Sequence, residues 1–322
     1  MALIGNDIAF AKQQLQQGNL VAIPTETVYG LAANALDEKA VASIFTAKNR
    51  PTFDPLIVHT HCLENVYDFV TDIHPKLLQL ASTFWPGPLT LLLPKKNCIP
   101  YLVTSGLDRV GVRVPHHTMT LQLLQLLDFP LAAPSANPFG YISPTTAQHV
   151  NQQLGAVIPY ILDGGACSVG LESTIVGEEN GIIIIHRLGG LSIEAIQSVI
   201  GEVEIQLNQS SNPVAPGQLK SHYAPKKPFV IRSNSGFTQH QQHQQHQQKG
   251  LLCFGNHSQS HLEEFKLVKN LSPNANYQEA AINLFAYLRE LDEAEIDVIM
   301  CDFLPEENLG LAINDRLKRA LH

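Results

Sequence analysis

Residues 23–59 read IPTETVYGLAANALDEKAVASIFTAKNRPTFDPLIVH, two apolar strand-like runs with a short amphipathic helix between them. The polar residues gather where these elements end. Thr25, Glu26, Thr27 and Tyr29 follow the first run, Lys48, Asn49 and Arg50 follow the helix, and His59 closes the second run. In α/β proteins ligands sit at strand ends and in the loops beyond them. A carboxylate, hydroxyls, two fixed positive charges and an imidazole placed there point to an anionic ligand with several functional groups.

Working outward, Asn6 or Asp7 caps a first helix that Gly18 ends, and Leu20 to Ile23 forms a buried strand stopped by Pro24. Asp37 caps the helix that runs to Lys48, with Ala40, Val41, Ile44 and Phe45 on its apolar face; Pro51 forbids its continuation. Further strands are expected at 56–58, 110–114, 131–133 and 160–162, and helices at 74–84, 121–127, 145–154 and 193–200. GLESTIVG and GIIIIHRLGG pattern as an antiparallel pair. This irregular alternation favours a mixed sheet over a regular doubly wound one. After Gly201 the composition turns polar and proline-containing to Pro228, as in a linker. The remainder predicts a small three-layer α/β domain, with strands at 229–231, 251–254 and 298–301, a long helix at 277–291 and a terminal helix at 309–321. The expected division is therefore 1–205, a linker at 206–228, and 229–322. The His/Gln-rich run at 239–248 reads as a surface insert rather than a chelating site.

At 322 residues the chain is long enough for two domains, and 44% hydrophobic with 16% charged residues is ordinary for a globular protein. A formal charge of −8 argues against a surface that clings everywhere to nucleic acid. Five widely spaced cysteines without a CxxC pair support neither a disulfide framework nor a zinc site, and fit a reducing, cytoplasmic compartment. No apolar run approaches the roughly 20 residues that span a bilayer, and the N-terminus lacks a signal-peptide pattern, so a soluble protein is expected.

Neither a G-x-x-x-x-G-K-[ST] loop nor a G-x-G-x-x-G turn occurs, so side chains would have to hold any nucleotide phosphates. Lys48 and Arg50 suit that task; the other reading is a helix C-terminus favouring cations through its dipole. Arg113 ends one apolar strand, Ser135, Asn137 and Ser143 follow another, Ser173 and Thr174 interrupt a third, and Arg187 follows four isoleucines. His59 is either a base, a structural residue or a substrate contact. Glu26 is an acid, a metal ligand or the partner of a neighbouring cation. No nucleophile–base pair stands out, which favours positioning and charge stabilisation over covalent catalysis.

The motifs PTETVYGL, AKNRP, DPLIVH, WPGPLTLLL, VGVRVPHH, APSANPFGYISPTT, GLESTIV and HRLGG occur in the order seen in YrdC-like threonylcarbamoyl-adenylate synthases. APGQLKSHYAP and GLAINDRLKRA are similar to the linker and C-terminal signatures of the two-domain form. The resemblance implies a YrdC-like α/β fold, a twisted open mixed sheet with a concave cavity, joined to a small Rossmann-like domain. It implies that L-threonine, bicarbonate or CO2, and ATP with Mg²⁺ give L-threonylcarbamoyl-AMP and diphosphate. That product would pass to the machinery that threonylcarbamoylates tRNA. By motif, Thr27, His59, Arg113, Ser173 and the backbone of Ala133 would contact threonine. Lys48, Arg50, Asp54, Arg109, Ser135, Ser143, Arg187 and Tyr223 would hold ATP, with Lys48 and Arg50 also neutralising charge during transfer and Tyr223 closing the cavity. Asp54 stands where the family often has Asn, and Arg109 where Thr is common. No metal-ligating residue is assigned.

Two other functions compete. A carbamoyl-adenylate synthase using carbamoyl phosphate would be expected to carry acylphosphatase-like and zinc-finger segments, which this sequence lacks. A double-stranded RNA- or tRNA-binding protein would use the same concave positive surface for a phosphate backbone, against the acidic net charge.

Overall fold

The computed structural model describes residues 1–207, 215, 222–232, 248–258 and 262–321. The chain falls into two compact units, one of Met1–Phe139 with Ser143–Lys220 and one of Gly140–Ile142 with Ser221–His322. The second unit thus takes in Gly140–Ile142, which the sequence division had within 1–205. The linker positions 208–214 and 216–221 and most of the His/Gln-rich run lie outside the described residues.

In the first unit the strands are β1 (Leu3–Gly5), β2 (Val21–Ile23), β3 (Gly30–Asn34), β4 (Ile57–His59), β5 (Leu89–Pro94), β6 (Arg109–Arg113), β7 (Leu131–Ala132), β8 (Tyr160–Leu162), β9 (Thr174–Glu179), β10 (Ile182–Arg187) and β11 (Glu204–Ile205). They form one mixed sheet in the order β1-β8-β2-β3-β7-β4-β6-β5-β9-β10-β11. The helices are α1 (Ile8–Gln16), α2 (Glu38–Lys48), α3 (Pro75–Phe84), α4 (Tyr101–Thr104), α5 (Thr118–Leu126), α6 (Ala147–Leu154) and α7 (Ile193–Ile200). Ala11 and Leu15 of α1 and Leu123 and Leu124 of α5 pack with Val21, Ile23, Leu131 and Tyr160 into a buried cluster. Non-directional burial of these side chains fixes the helices on the sheet.

Two local features place the site. Asp37 caps α2 by accepting from the amides of Lys39 and Ala40, and Asn49 ends it in the left-handed conformation at φ 51°. That turn lets Lys48 and Arg50 point inward from a helix end. Strand β3, by contrast, is absent from the sequence reading because GLAAN has weak strand propensity. It forms through context, paired antiparallel with both β2 and β7, where Ala32 and Ala33 are fully buried.

The second unit holds a parallel sheet ordered β12-β15-β13-β14, from β12 (Phe229–Ile231), β13 (Lys249–Cys253), β14 (Leu267–Asn270) and β15 (Val298–Cys301). Helices α8 (Tyr277–Glu293) and α9 (Gly310–Ala320) complete it. Within this unit Tyr141 Oη donates to Asp292 Oδ2 at 2.6 Å, the amide of Ala224 donates to Gly140 O at 2.9 Å, and Arg289 donates to Ile142 O. Tyr223 is buried and stacks on Phe285 with ring centroids 5.4 Å apart.

Candidate active site

Strands β4 and β6 run parallel with His59 directly opposite Arg113, so both side chains sit at the same end of neighbouring strands. Arg113 is 4% exposed and held on three sides. Its Nε donates to Gly87 O at 3.2 Å, its Nη1 donates to Thr27 Oγ1 at 2.8 Å, and its Nη2 lies 2.7 Å from Glu26 Oε2. The loop between β2 and β3 therefore delivers Glu26 and Thr27 to the end of β6. Thr27 Oγ1 also lies 2.8 Å from Thr25 Oγ1, which fixes the rotamer that meets Arg113. Of the roles open to Glu26, the structure shows the partner of a cation.

His59 is buried, and burial together with the Arg113 charge takes its imidazole down to about 3. It is neutral at physiological pH and acts as a hydrogen-bonding group. Cys167, pushed up to about 12 by burial and by the Glu26 charge, stays a thiol and supplies no nucleophile.

A second arginine completes this end. Arg187, the last residue of β10, donates through Nε and Nη2 to Ser173 O at 3.0 and 2.8 Å, and through Nη2 to Ser173 Oγ at 3.0 Å. Ser173 Oγ is also 2.7 Å from Thr90 Oγ1. The chain after Arg187 passes close to Ser173; a Cβ on Gly189 would lie 2.3 Å from Glu172 O, which explains the glycine of HRLGG. Pro88 O accepts from the amide of Thr174 beside Gly87, so one turn supports both the Arg113 and the Ser173 groups.

Lys48 and Arg50 organise the other end. Lys48 is 1% exposed, and its Nζ donates to Ser135 O at 2.5 Å and to Asn137 O. Burial first, and then the nearby Arg50 charge, hold its ammonium well below the usual lysine range. Arg50 donates through Nε to Asp54 O at 3.1 Å and through Nη2 to Pro55 O at 2.8 Å, and pairs with Asp54 Oδ2 at 2.9 Å. Asp54, expected at the nucleotide, is fully buried as the counter-ion of Arg50. Ser143 Oγ donates to Glu172 Oε1 at 2.6 Å. Glu172 and Thr90 are thus structural members of the site that sequence reading did not place, while Asn137, named with Ser135 and Ser143, takes part through its backbone oxygen; the GLEST motif held the signal for Glu172, next to Ser173. The amide of Ala133 is used within the sheet, donating to Ile57 O at 2.9 Å.

Arg109 does not join them. It opens β6, four residues and about 13 Å from Arg113 at strand rise. Its guanidinium is 37% exposed, 3.9 Å from Glu179. Tyr223 belongs to the second unit, against Phe285. Ala215, the described residue of 208–221, is buried on Ile57, Leu92 and Ile175 of the first unit.

A family model described as "Telomere recombination" matches residues 13–189, and one described as "Threonylcarbamoyl-AMP synthase, C-terminal domain" matches residues 191–321. A threonylcarbamoyl-AMP synthase of Pyrococcus abyssi is 40% identical over 323 residues, covering 97% of this chain and 93% of that protein. One of Bacillus subtilis is 37% identical over 320 residues, covering 97% and 92%. The crystal structure of P. abyssi Sua5 complexed with L-threonine matches with a TM-score of 0.90 at 37% identity, covering 100% of this chain and 97% of that one.

Proposed function

The chain belongs to the threonylcarbamoyl-AMP synthase family, and from that membership we propose how its residues share the work. It is an ATP-using transferase acting on L-threonine, and its product is an adenylate. Carbon dioxide or bicarbonate supplies the carbonyl carbon. The neutral threonine amine bonds to that carbon, releasing a proton when the source is carbon dioxide and a water when it is bicarbonate, and gives a carbamate; a carbamate oxygen then attacks the α-phosphorus and diphosphate leaves. Arg113, Thr27, His59 and Ser173 hold the threonine, and Lys48, Arg50, Arg187, Ser135 and Ser143 hold the nucleotide.

The state of Lys48 carries this division. The buried ammonium donates to neutral carbonyls and makes no ion pair among the described residues, the nearby Asp54 carboxylate being paired with Arg50. A triphosphate adds an anionic partner, and its binding favours the ammonium against the burial that disfavours it. Such a preorganised cation stabilises charge moving onto the leaving diphosphate without reorganising.

Among the described residues no group of three His, Cys, Asp or Glu side chains is placed to hold a metal ion. We infer that Mg²⁺ arrives on the triphosphate as part of the substrate, and derive no step from a resident metal. Tyr223 as a nucleotide-retaining residue, and delivery of the product to the tRNA-modifying machinery, rest on the sequence motifs. Among the described residues no helix is long and apolar enough to cross a membrane.

The deciding experiment is diphosphate release with ATP and Mg²⁺, adding and omitting L-threonine and bicarbonate, with Lys48→Ala alongside. Release that needs both co-substrates and is lost in the variant is the expected result. Release without threonine would overturn the assignment.

A further inference from the structure

Glu26 is the buried carboxylate of the site with no role in the chemistry above. It is 3% exposed, and its Oε2 faces Arg113 Nη2 at 2.7 Å, yet neither of its oxygens accepts a hydrogen bond among the described residues. The same is true of Arg113 Nη2, although Arg113 Nε and Nη1 are bonded to Gly87 O and Thr27 Oγ1. Buried carboxylate oxygens are ordinarily satisfied; Oε2 is matched by the Arg113 charge, which leaves Oε1 as the acceptor that a ligand would complete.

We propose that Glu26 binds substrate directly, its Oε1 receiving the α-ammonium of L-threonine while Arg113 receives the α-carboxylate. The inference rests on the threonine reading of this end of the site. Two opposite charges side by side are the complement of a zwitterion. Such a ligand adds no net charge to a buried site, whereas a ligand carrying only the carboxylate leaves Glu26 unmatched. Glu26 is not needed to orient Arg113, which two other acceptors already hold. Glu26 therefore sets specificity for α-amino acids over α-hydroxy acids, and it orients the nitrogen that becomes the carbamate.

The test is calorimetric titration of the full chain with L-threonine and with 2,3-dihydroxybutanoate, in which a hydroxyl replaces the ammonium. The wild type is expected to prefer threonine by about tenfold or more, the scale of one charge-assisted hydrogen bond. In Glu26→Gln the preference shrinks to within about threefold, with KM for threonine rising more than kcat falls; Glu26→Asp, keeping the charge, retains the preference. Equal weakening of both ligands would mean that Glu26 merely supports Arg113 and would overturn the inference. So would a wild type that binds the two ligands alike, a result that needs no variant to fold. A wild type that binds no threonine would overturn the threonine reading itself, and the inference with it.

Discussion

Arg113 and Lys48 are both buried basic residues of the first unit, 4% and 1% exposed. Arg113 has a carboxylate 2.7 Å away, whereas the ammonium of Lys48 is accepted by the carbonyls of Ser135 and Asn137. Arg113 is thus balanced by a carboxylate within the fold, whereas Lys48 makes no ion pair among the described residues. The proposed assignment of a zwitterion to the first and a polyanion to the second follows this difference in compensation.

The sharpest way to break this contrast is Arg113→Met. It strands Glu26 as an uncompensated buried charge, which costs about 3–5 kcal/mol of stability. Denaturant unfolding should show that loss, and the double variant Arg113→Met/Glu26→Gln should recover part of it. A single variant as stable as the wild type would mean that the pair is not a balanced unit. Next in size, Lys48→Met should lower diphosphate release by roughly 10²–10³-fold, the scale of one preorganised donor at a charge-accumulating centre.

A smaller effect follows from His59. Its imidazole is held down to about 3 in the folded chain, against an ordinary 6.5. As pH falls below 6.5 the unfolded chain takes up the proton first. The contribution of His59 to stability is whole above that pH and declines towards pH 3, by at most about 1.4 kcal/mol per unit. His59→Asn should flatten the acid limb of stability against pH, and the pH profile of kcat between 5 and 8 should contain no ionisation that disappears in this variant. Smallest of all, Arg109→Ala should leave KM for ATP within about twofold, since its ion pair is exposed and lies at the far end of β6.

Much of the site was legible because polar residues interrupt apolar runs, and such interruptions are costly unless they serve a ligand or one another. Lys48, His59, Arg113 and Arg187 were singled out that way, and the structure buries all four. Arg109 shows the limit. In RVGVR the period of two gives both arginines the same face, and only the strand's length separates them. Asp54 and Arg50 show another: a cation four residues from a carboxylate can pair with it or with a ligand, and burial decides. Glu172 was hidden because its hydrogen bond to Ser143 spans 29 residues of sequence. Strand β3 was hidden because its small residues are set by the neighbours they fit between, not by their own propensity. The α/β class of the second unit was legible from its strands and long helix, but strand β14 was not read from the sequence, and the membership of Gly140–Ile142 in that unit had no local signal.

That membership has a consequence for how the protein is made. Ile142 and Arg289, which bonds to its carbonyl, are 147 residues apart. At ribosomal speeds of about 5–20 residues per second, roughly 7–30 s pass between their synthesis. The Gly140–Ile142 segment is thus joined to the rest of its unit by a helix that emerges almost last. Translation order leaves the second unit without the partner of Ile142 until nearly the whole chain has been delivered.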